Sequence, residues 1–304
     1  MLDYSQLIET AERIGCTYSL GEPMSAHTSF HIGGPADVFM TPANKQMLAE
    51  IFALCNRLNL PVTVLGNGSN MLVSDKGIRG VVISTAGALS ELEWVGGGDV
   101  VCGAGVKLSR LCNFALEHSL GGLEFAWGIP GTAGGAAYMN AGAYDGDMSQ
   151  VLVECEHITP EGDIVWLPAE QLGLGYRTSV YAKNGCLITA LRVRLHPEAP
   201  ENIRAKMDDL IGRRRSKQPL EWPSAGSVFK RPQGGFAGTM IEQCGLKGYT
   251  IGGAQGSEKH AGFIINVGDA TCFDVQRLVE HIQKEVFLRF SVKLECEIKM
   301  IGEK

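Results

Sequence analysis

The sequence predicts an α+β protein of several subdomains, and three observations carry that prediction. At 304 residues the chain exceeds the length at which one hydrophobic core keeps growing. Strand-like and helix-like stretches follow one another without the regular strand–helix–strand beat of a doubly wound sheet. A run of small residues, Glu124–Asp147 (EFAWGIPGTAGGAAYMNAGAYDGD), breaks both patterns and carries almost no charge until its acidic end.

In chain order, Tyr4–Ile14 reads as a helix with Leu7, Ile8, Ala11 and Ile14 on one face. The segment His27–Asp37 mixes strand formers with a Gly-Gly-Pro breaker. Asn44 can cap a helix through Leu58 with the stripe Leu48, Ile51, Cys55 and Leu58. Pro61–Leu65 is a short buried strand that enters the loop Gly66-Asn67-Gly68-Ser69-Asn70, and Met71–Val73 and Val81–Ser84 are further apolar runs. Gly96–Asp99 reads as a hairpin turn; Lys107–Ser119 is helical through Leu108, Leu111, Cys112, Ala115 and Leu116, with Gly121-Gly122 as its stop. Val151–Ile158, Ile164–Leu167 and Leu187–Leu195 read as strands, the first two joined by the turn Glu161-Gly162-Asp163. Pro197–Pro200 marks a boundary before a basic-ended helix, Asn202–Lys217. A glycine-rich segment from Ser224 to Gly235 follows, then helices Ala237–Cys244 and Asp274–Phe290 and a closing strand Leu294–Ile301. The helix Asp274–Phe290 is the clearest, with Val275, Leu278, Val279, Ile282 and Val286 on one face.

The Glu124–Asp147 run organises the rest. Glycine costs about 1 kcal/mol against alanine inside a helix, so an ordinary helix is not expected there. Glycine suits a backbone that turns through positive φ or touches a ligand, and successive free N–H groups form a nest for a phosphate or pyrophosphate. Ile129-Pro130-Gly131 is a turn signal, and Thr132 adds a hydroxyl donor. The alternative is a flexible glycine loop with no ligand, against which stand the apolar residues among the glycines. Gly66–Asn70 is a second contact of the same kind, although any hairpin could use its Asn-Gly.

Several classes are excluded. A net charge of −6 gives no electrostatic case for nucleic acid or an anionic membrane, and Arg213-Arg214-Arg215 is too short a basic run. The polar, acidic opening is neither a signal nor a transit peptide, and no apolar stretch is long enough to span a bilayer. Nine scattered cysteines without CxxC spacing argue against a disulfide framework and a zinc site, so a reducing cytoplasm is expected. The seven histidines lack metal-ligand spacing; His27 and His31 flank a strand-like Thr-Ser-Phe and read as structural. The nearest approach to GxGxxG is Gly103-Ala104-Gly105, whose third glycine position is Leu108, so a Rossmann site is not expected. GxxxxGK[ST] and HExxH are missing too. Small-molecule partners are expected, with no metal, no membrane and no nucleic acid. The oligomeric state stays open and a monomer is compatible with it.

Seven motifs occur together in one order: HTSFHIGGPAD, LGNGSNMLV, GIPGTAGGAAYMNAGAYDGD, YRTS, SAGSVFKRP, the segment Ala237–Asn266, and the terminal LECEIKMIG. In these the chain resembles the UDP-N-acetylenolpyruvoylglucosamine reductases, also called UDP-N-acetylmuramate dehydrogenases, of bacterial cell-wall synthesis. The resemblance covers essentially the whole chain. It implies the FAD-binding fold of the vanillyl-alcohol oxidase/p-cresol methylhydroxylase type. Two α+β subdomains, residues 1–85 and 86–199, would clasp the flavin. A C-terminal α+β substrate domain, residues 200–304, would cover the substrate, with the last strand free to return to the first subdomain. FAD would be bound without a covalent bond, by Gly66, Asn67, Gly68, Ser69 and Asn70 and by Gly128, Ile129, Pro130, Gly131, Thr132, Gly134, Gly135, Asn140, Gly142 and Ala143.

The implied chemistry has two halves. NADPH, the co-substrate, passes a hydride to flavin N5; the flavin then gives it to the methylene carbon of the enolpyruvyl ether. Negative charge then develops on C2 and the adjacent carboxylate. Such a site needs a fixed cation, a hydrogen-bonded acid and a positioned proton donor. By resemblance these are Arg177 of YRTS, Glu297 of LECE and Ser227 of SAGS. Without it, Arg177 reads equally well as a surface ion pair, Ser227 as a turn serine and Glu297 as an exposed strand residue alternating with Glu295. Tyr144, Lys217, Lys230, Arg231 and Gln243 would meet the substrate, the basic residues through its diphosphate; the cations at the end of a helix also complement its dipole.

Two departures stand out. Between Arg177 and Leu187 no long insertion carries a lid tyrosine, so the chain resembles the shorter, type II branch. Cys296 stands where the family's closing motif has proline. No residue that closes over the substrate is identified. Two other functions compete: a flavin oxidase of this fold using dioxygen, which would want a histidine tether that His27 and His31 do not match, and a nucleotide-sugar-binding protein without catalysis, against which Arg177, Ser227 and Glu297 together argue.

Overall fold

The computed structural model describes residues 2–303. They form two compact units. One takes in the chain to Leu20, Val38–Asn67 and Gly80–Arg213; the other takes in Gly21–Asp37, Gly68–Arg79 and the chain from Arg214. Each unit is thus assembled from three separate segments, a division that consecutive cuts at residues 85 and 199 do not reproduce. Each has its own hydrophobic core.

The first unit is built on a five-stranded antiparallel sheet, in the order Ile164–Pro168, Leu152–Ile158, Leu187–Arg194, Asp99–Gly103, Leu92–Gly96. The central strand, LITALRVR, is buried over most of its length, which explains its near-continuous apolar run. Helix Leu108–Glu117 buries Leu108, Leu111, Cys112 and Ala115, the predicted stripe. It ends before Gly121-Gly122, and Ser119 instead takes the left-handed conformation, at φ +56°. Helix Lys45–Arg57 starts where Asn44 accepts a hydrogen bond from Met47 N at 2.9 Å, a cap worth about 1 kcal/mol. A four-stranded sheet has the order Thr17–Pro23, Pro35–Thr41, Ile78–Ser84, Val62–Leu65, the last two parallel.

The glycine-rich stretch corrects an expectation. Ala133–Met139 is a seven-residue α-helix, glycines included. Thr132 caps it, accepting from Gly135 N at 3.3 Å. The glycines answer a tertiary demand: a Cβ on Gly134 would lie 2.6 Å from Ala104 Cβ, and Gly134 N donates to Ala104 O at 2.8 Å. Close packing therefore outweighs the helix-propensity cost.

The second unit carries an antiparallel sheet in the order Ser224–Ser227, Phe263–Asn266, Ala254–Gly256, Thr250–Ile251. Helix Cys272–Phe290 buries all five predicted stripe residues and starts at a capping box formed by Thr271 and Asp274. The Asp75 carboxylate accepts from Cys272 N at 2.8 Å and Phe273 N at 3.0 Å, placing negative charge at the helix N-terminus. The closing strand is shorter than expected: only Lys299–Ile301 is strand, parallel to Met71–Val73. Leu294–Ile298 runs instead beside the segment after Ser227, with a bridge from Phe229 to Cys296.

Candidate active site

In the first unit, YRTS forms a tight turn. Gly175 N donates to Thr178 O at 3.1 Å and Thr178 N to Gly175 O at 3.3 Å, leaving Tyr176 and Arg177 at the tip. Arg177 adopts φ +57°, a conformation uncommon for a side chain this large and found where surrounding structure enforces it. Its guanidinium donates to Gly142 O at 3.1 Å and lies 5.1 Å from the Tyr176 ring. Gly142–Ala143 pairs with Gly146–Asp147, and the two residues of the turn, Tyr144 and Asp145, both have positive φ (+52° and +66°). That is the primed hairpin geometry normally given to Asn-Gly, and it presents Tyr144 to solvent.

Within this unit the first two residues of one glycine loop, Gly66 and Asn67, meet the other glycine loop. Asn67 Nδ2 donates to Pro130 O at 2.8 Å, and a Cβ on Gly66 would sit 2.5 Å from Thr132 Oγ1. The expected run of free donors at residues 131–135 is not there. Gly131 N bonds Ile129 O, Ala133 N bonds Val106 O, Gly134 N bonds Ala104 O, and Gly135 N bonds Thr132. The free donors lie in the other loop: among the described residues the N–H groups of Asn67, Gly68 and Ser69 make no hydrogen bond. Gly68 has φ +58°, and a Cβ there would meet His27 O at 2.1 Å. Successive open N–H groups around a left-handed glycine make an anion nest, so these residues fit a dinucleotide pyrophosphate.

In the second unit, the motifs of Ser227 and Glu297 are joined by backbone bonds. Glu297 N donates to Val228 O at 2.7 Å and Lys230 N to Glu295 O at 2.9 Å. Ser227 is half-buried and donates to Phe229 O across a long 3.3 Å, a bond easily exchanged for a better acceptor. Glu295 is 74% exposed on its side chain, whereas Glu297 is half-buried, so the two are not equivalent strand residues. Asn70 lies against Glu297: its side chain donates to Glu297 O at 3.4 Å, and its carbonyl accepts from Lys299 N at 2.9 Å. Burial pushes the Cys296 thiol up, so this replacement for proline stays a neutral, apolar neighbour.

The basic residues have partners of their own. Lys230 Nζ lies 3.1 Å from Glu295 Oε2, and Arg231 stacks at 4.1 Å on Phe236. The exposed Lys230–Glu295 pair holds at most about 1 kcal/mol and can open for a stronger anion. Lys217 is exposed in the last turn of helix Pro200–Lys217, and Gln243 is exposed at the end of helix Ala237–Gln243. His260, which the sequence did not single out, stands near Ser227: a Cβ on Gly262 would lie 3.3 Å from His260 Nδ1 and 3.5 Å from Ser227 Oγ. Gly262 N donates to His260 Nδ1 at 3.1 Å, and burial holds this imidazole below the ordinary range, favouring its neutral form. His260 lies in the motif segment Ala237–Asn266, but nothing about that segment marked one histidine out.

Comparison with known proteins gives consistent matches. Residues 36–168 match a family model described as an FAD binding domain, and residues 218–301 one described as the C-terminal domain of UDP-N-acetylenolpyruvoylglucosamine reductase. The chain is 48% identical over 284 residues to the UDP-N-acetylenolpyruvoylglucosamine reductase of Clostridium botulinum strain Hall, covering 93% of this chain and 92% of that one. It is 44% identical to that of Syntrophomonas wolfei, covering 99% of both chains. A crystal structure of the enzyme from Thermus caldophilus superposes with a TM-score of 0.82 at 34% identity, covering 94% of this chain and 99% of that one.

Proposed function

The chain belongs to the UDP-N-acetylenolpyruvoylglucosamine reductase family, and from that premise we propose that it reduces UDP-N-acetylglucosamine enolpyruvate to UDP-N-acetylmuramate with NADPH. The FAD-binding match spans residues 36–168 and the C-terminal-domain match residues 218–301, and flavin and substrate binding are assigned to those stretches in turn. The reaction serves peptidoglycan precursor synthesis in the cytoplasm; no helix among the described residues is long and apolar enough to cross a membrane. Bound FAD would link oxidation of NADPH to reduction of the enolpyruvyl double bond. Asn67, Gly68 and Ser69 would hold its pyrophosphate, and the packed loop around Thr132 and Gly134 would shape the surface beneath it.

The remaining work falls to side chains. Arg177 supplies a fixed cation for the charge that develops on the enolpyruvyl carboxylate and C2. Glu297 supplies a hydrogen-bonding carboxyl beside that charge, and the Ser227 hydroxyl delivers a proton to C2 and is reprotonated from solvent. Tyr144, Lys217, Lys230, Arg231 and Gln243 bind the sugar nucleotide. The observation that carries this reading is the 2.7 Å bond from Glu297 N to Val228 O, which sets Ser227 and Glu297 on paired neighbouring segments. The test is turnover. NADPH consumption should require the enolpyruvyl sugar nucleotide, continue without oxygen, and yield a product heavier by two hydrogens. Consumption that needs oxygen and ignores the sugar nucleotide would reveal an oxidase.

Arg177→Lys is expected to be far from conservative. Lysine keeps the charge but lacks the planar fork that can hold Gly142 O and still face a carboxylate. Transition-state stabilisation, read as kcat/KM, should fall by about 2 kcal/mol or more. Near-native kcat/KM would leave Arg177 as a structural cation only.

A further inference from the structure

We propose that Asn140 is the positioning residue for Arg177, holding the turn on which that arginine stands. Asn140 is 4% exposed and caps helix Ala133–Met139 in the left-handed conformation, at φ +41°. Its amide works in two directions: Oδ1 accepts from Ser149 N at 2.9 Å, and Nδ2 donates to Gly175 O at 3.1 Å. Gly175 is the residue whose exchange of backbone bonds with Thr178 closes the Tyr176-Arg177 turn. Two further ties run the same way: Arg177 donates to Gly142 O at 3.1 Å, and Ser179 Oγ donates to Tyr138 O at 2.7 Å. The stretch Gly175–Ser179 that carries Arg177 is therefore tied to the segment Tyr138–Gly142 by these three bonds, of which Asn140 makes the one that comes from a side chain of that segment.

The residue type follows from the geometry. Asparagine tolerates the left-handed region better than other non-glycine residues, and only an amide presents an acceptor and a donor together. Aspartate would keep the shape and the acceptor but turn an oxygen toward the Gly175 carbonyl. Its side chain, buried and bonded at both ends, acts on the Arg177 turn, a role beyond the flavin contact that the family resemblance implied for Asn140.

This inference rests on the reading of Arg177 above, so the experiment separates the two. Asn140→Gly, which keeps the backbone free to adopt positive φ, and Asn140→Asp are prepared as flavin-loaded protein, alone and combined with Arg177→Ala. The expected result is retained flavin, near-native reduction by NADPH, and reoxidation by the enolpyruvyl sugar nucleotide slowed by about 10- to 100-fold, as for a misplaced reacting group. In the Arg177→Ala background the same substitutions should add almost nothing, because residues acting as one unit are not additive. Slowing of both half-reactions alike, or full additivity with Arg177→Ala, would overturn the proposal. So would failure of both variants to fold with flavin, which would make Asn140 a scaffold residue. A slow Arg177→Ala enzyme beside native-rate Asn140 variants would sink this inference alone. A native-rate Arg177→Ala enzyme would sink the reading of Arg177 and this inference with it.

Discussion

Ser227→Ala is expected to bleach with NADPH at a near-native rate, yet to be reoxidised by the enolpyruvyl sugar nucleotide about 10² to 10⁴ times more slowly, the usual effect of losing a positioned proton donor. The asymmetry follows from where the proton is needed. Reduction by NADPH requires no proton at a substrate carbon, whereas addition to the methylene carbon leaves charge at C2 that must be quenched in place. A serine hydroxyl is a weak acid in water, but C2 is a far stronger base. The hydroxyl is also lightly held, across 3.3 Å to Phe229 O, so its proton can be redirected. The variant should fold, since the lost bond is long and the alanine matches the backbone of a half-buried strand end. Stopped-flow traces of both half-reactions decide it. Equal slowing would assign Ser227 to flavin geometry, and no slowing would hand the proton to water or another residue.

Gly134→Val is expected to yield protein without FAD. The reason is contact, not backbone conformation: Gly134 lies outside the left-handed region, and a Cβ there would stand 2.6 Å from Ala104 Cβ and 3.1 Å from Ala104 O. Valine adds two methyl groups to a site with no room for one carbon. The helix must then leave Ala104, breaking the 2.8 Å bond between Gly134 N and Ala104 O and shifting Thr132 from Gly66. Overpacking of this kind costs about 1–3 kcal/mol or more and distorts the backbone locally. Gly135→Ala is the control, since a Cβ there meets only Thr132 Oγ1, at an ordinary 3.5 Å. The flavin content of the two purified variants is the readout. A folded Gly134→Val enzyme with its full complement of FAD would show that this packing does not shape the cofactor site.

What could be read from the chain alone was mostly local. Helix Cys272–Phe290 was legible because its stripe runs through about three turns, and Asn44 was legible as a cap because its side chain does one job. Helix Ala133–Met139 was not, because glycine propensity argues against it and only Ala104, some thirty residues earlier, reverses the sign. Free donors were expected in both glycine loops, and the Glu124–Asp147 run lacks the expected succession of them for a related reason. Whether an N–H is open depends on a distant carbonyl, and Ala104 O and Val106 O take those of Gly134 and Ala133. The return of the last strand to residues 1–85 was allowed for, and Lys299–Ile301 does pair with Met71–Val73; what was hidden is that the segments Gly21–Asp37 and Gly68–Arg79 cluster with the chain from Arg214. The motifs named Arg177, Ser227 and Glu297, and Asn140 as a flavin contact, but gave no hint of the bonds from the Asn140 amide to Gly175 O and Ser149 N.

The most direct measurement is an anaerobic spectral titration of the purified protein. A yellow flavin spectrum should bleach on one equivalent of NADPH, and its colour should return on adding UDP-N-acetylglucosamine enolpyruvate under strict exclusion of oxygen. Colour that returns only when air is admitted, with the sugar nucleotide unchanged, would contradict the account.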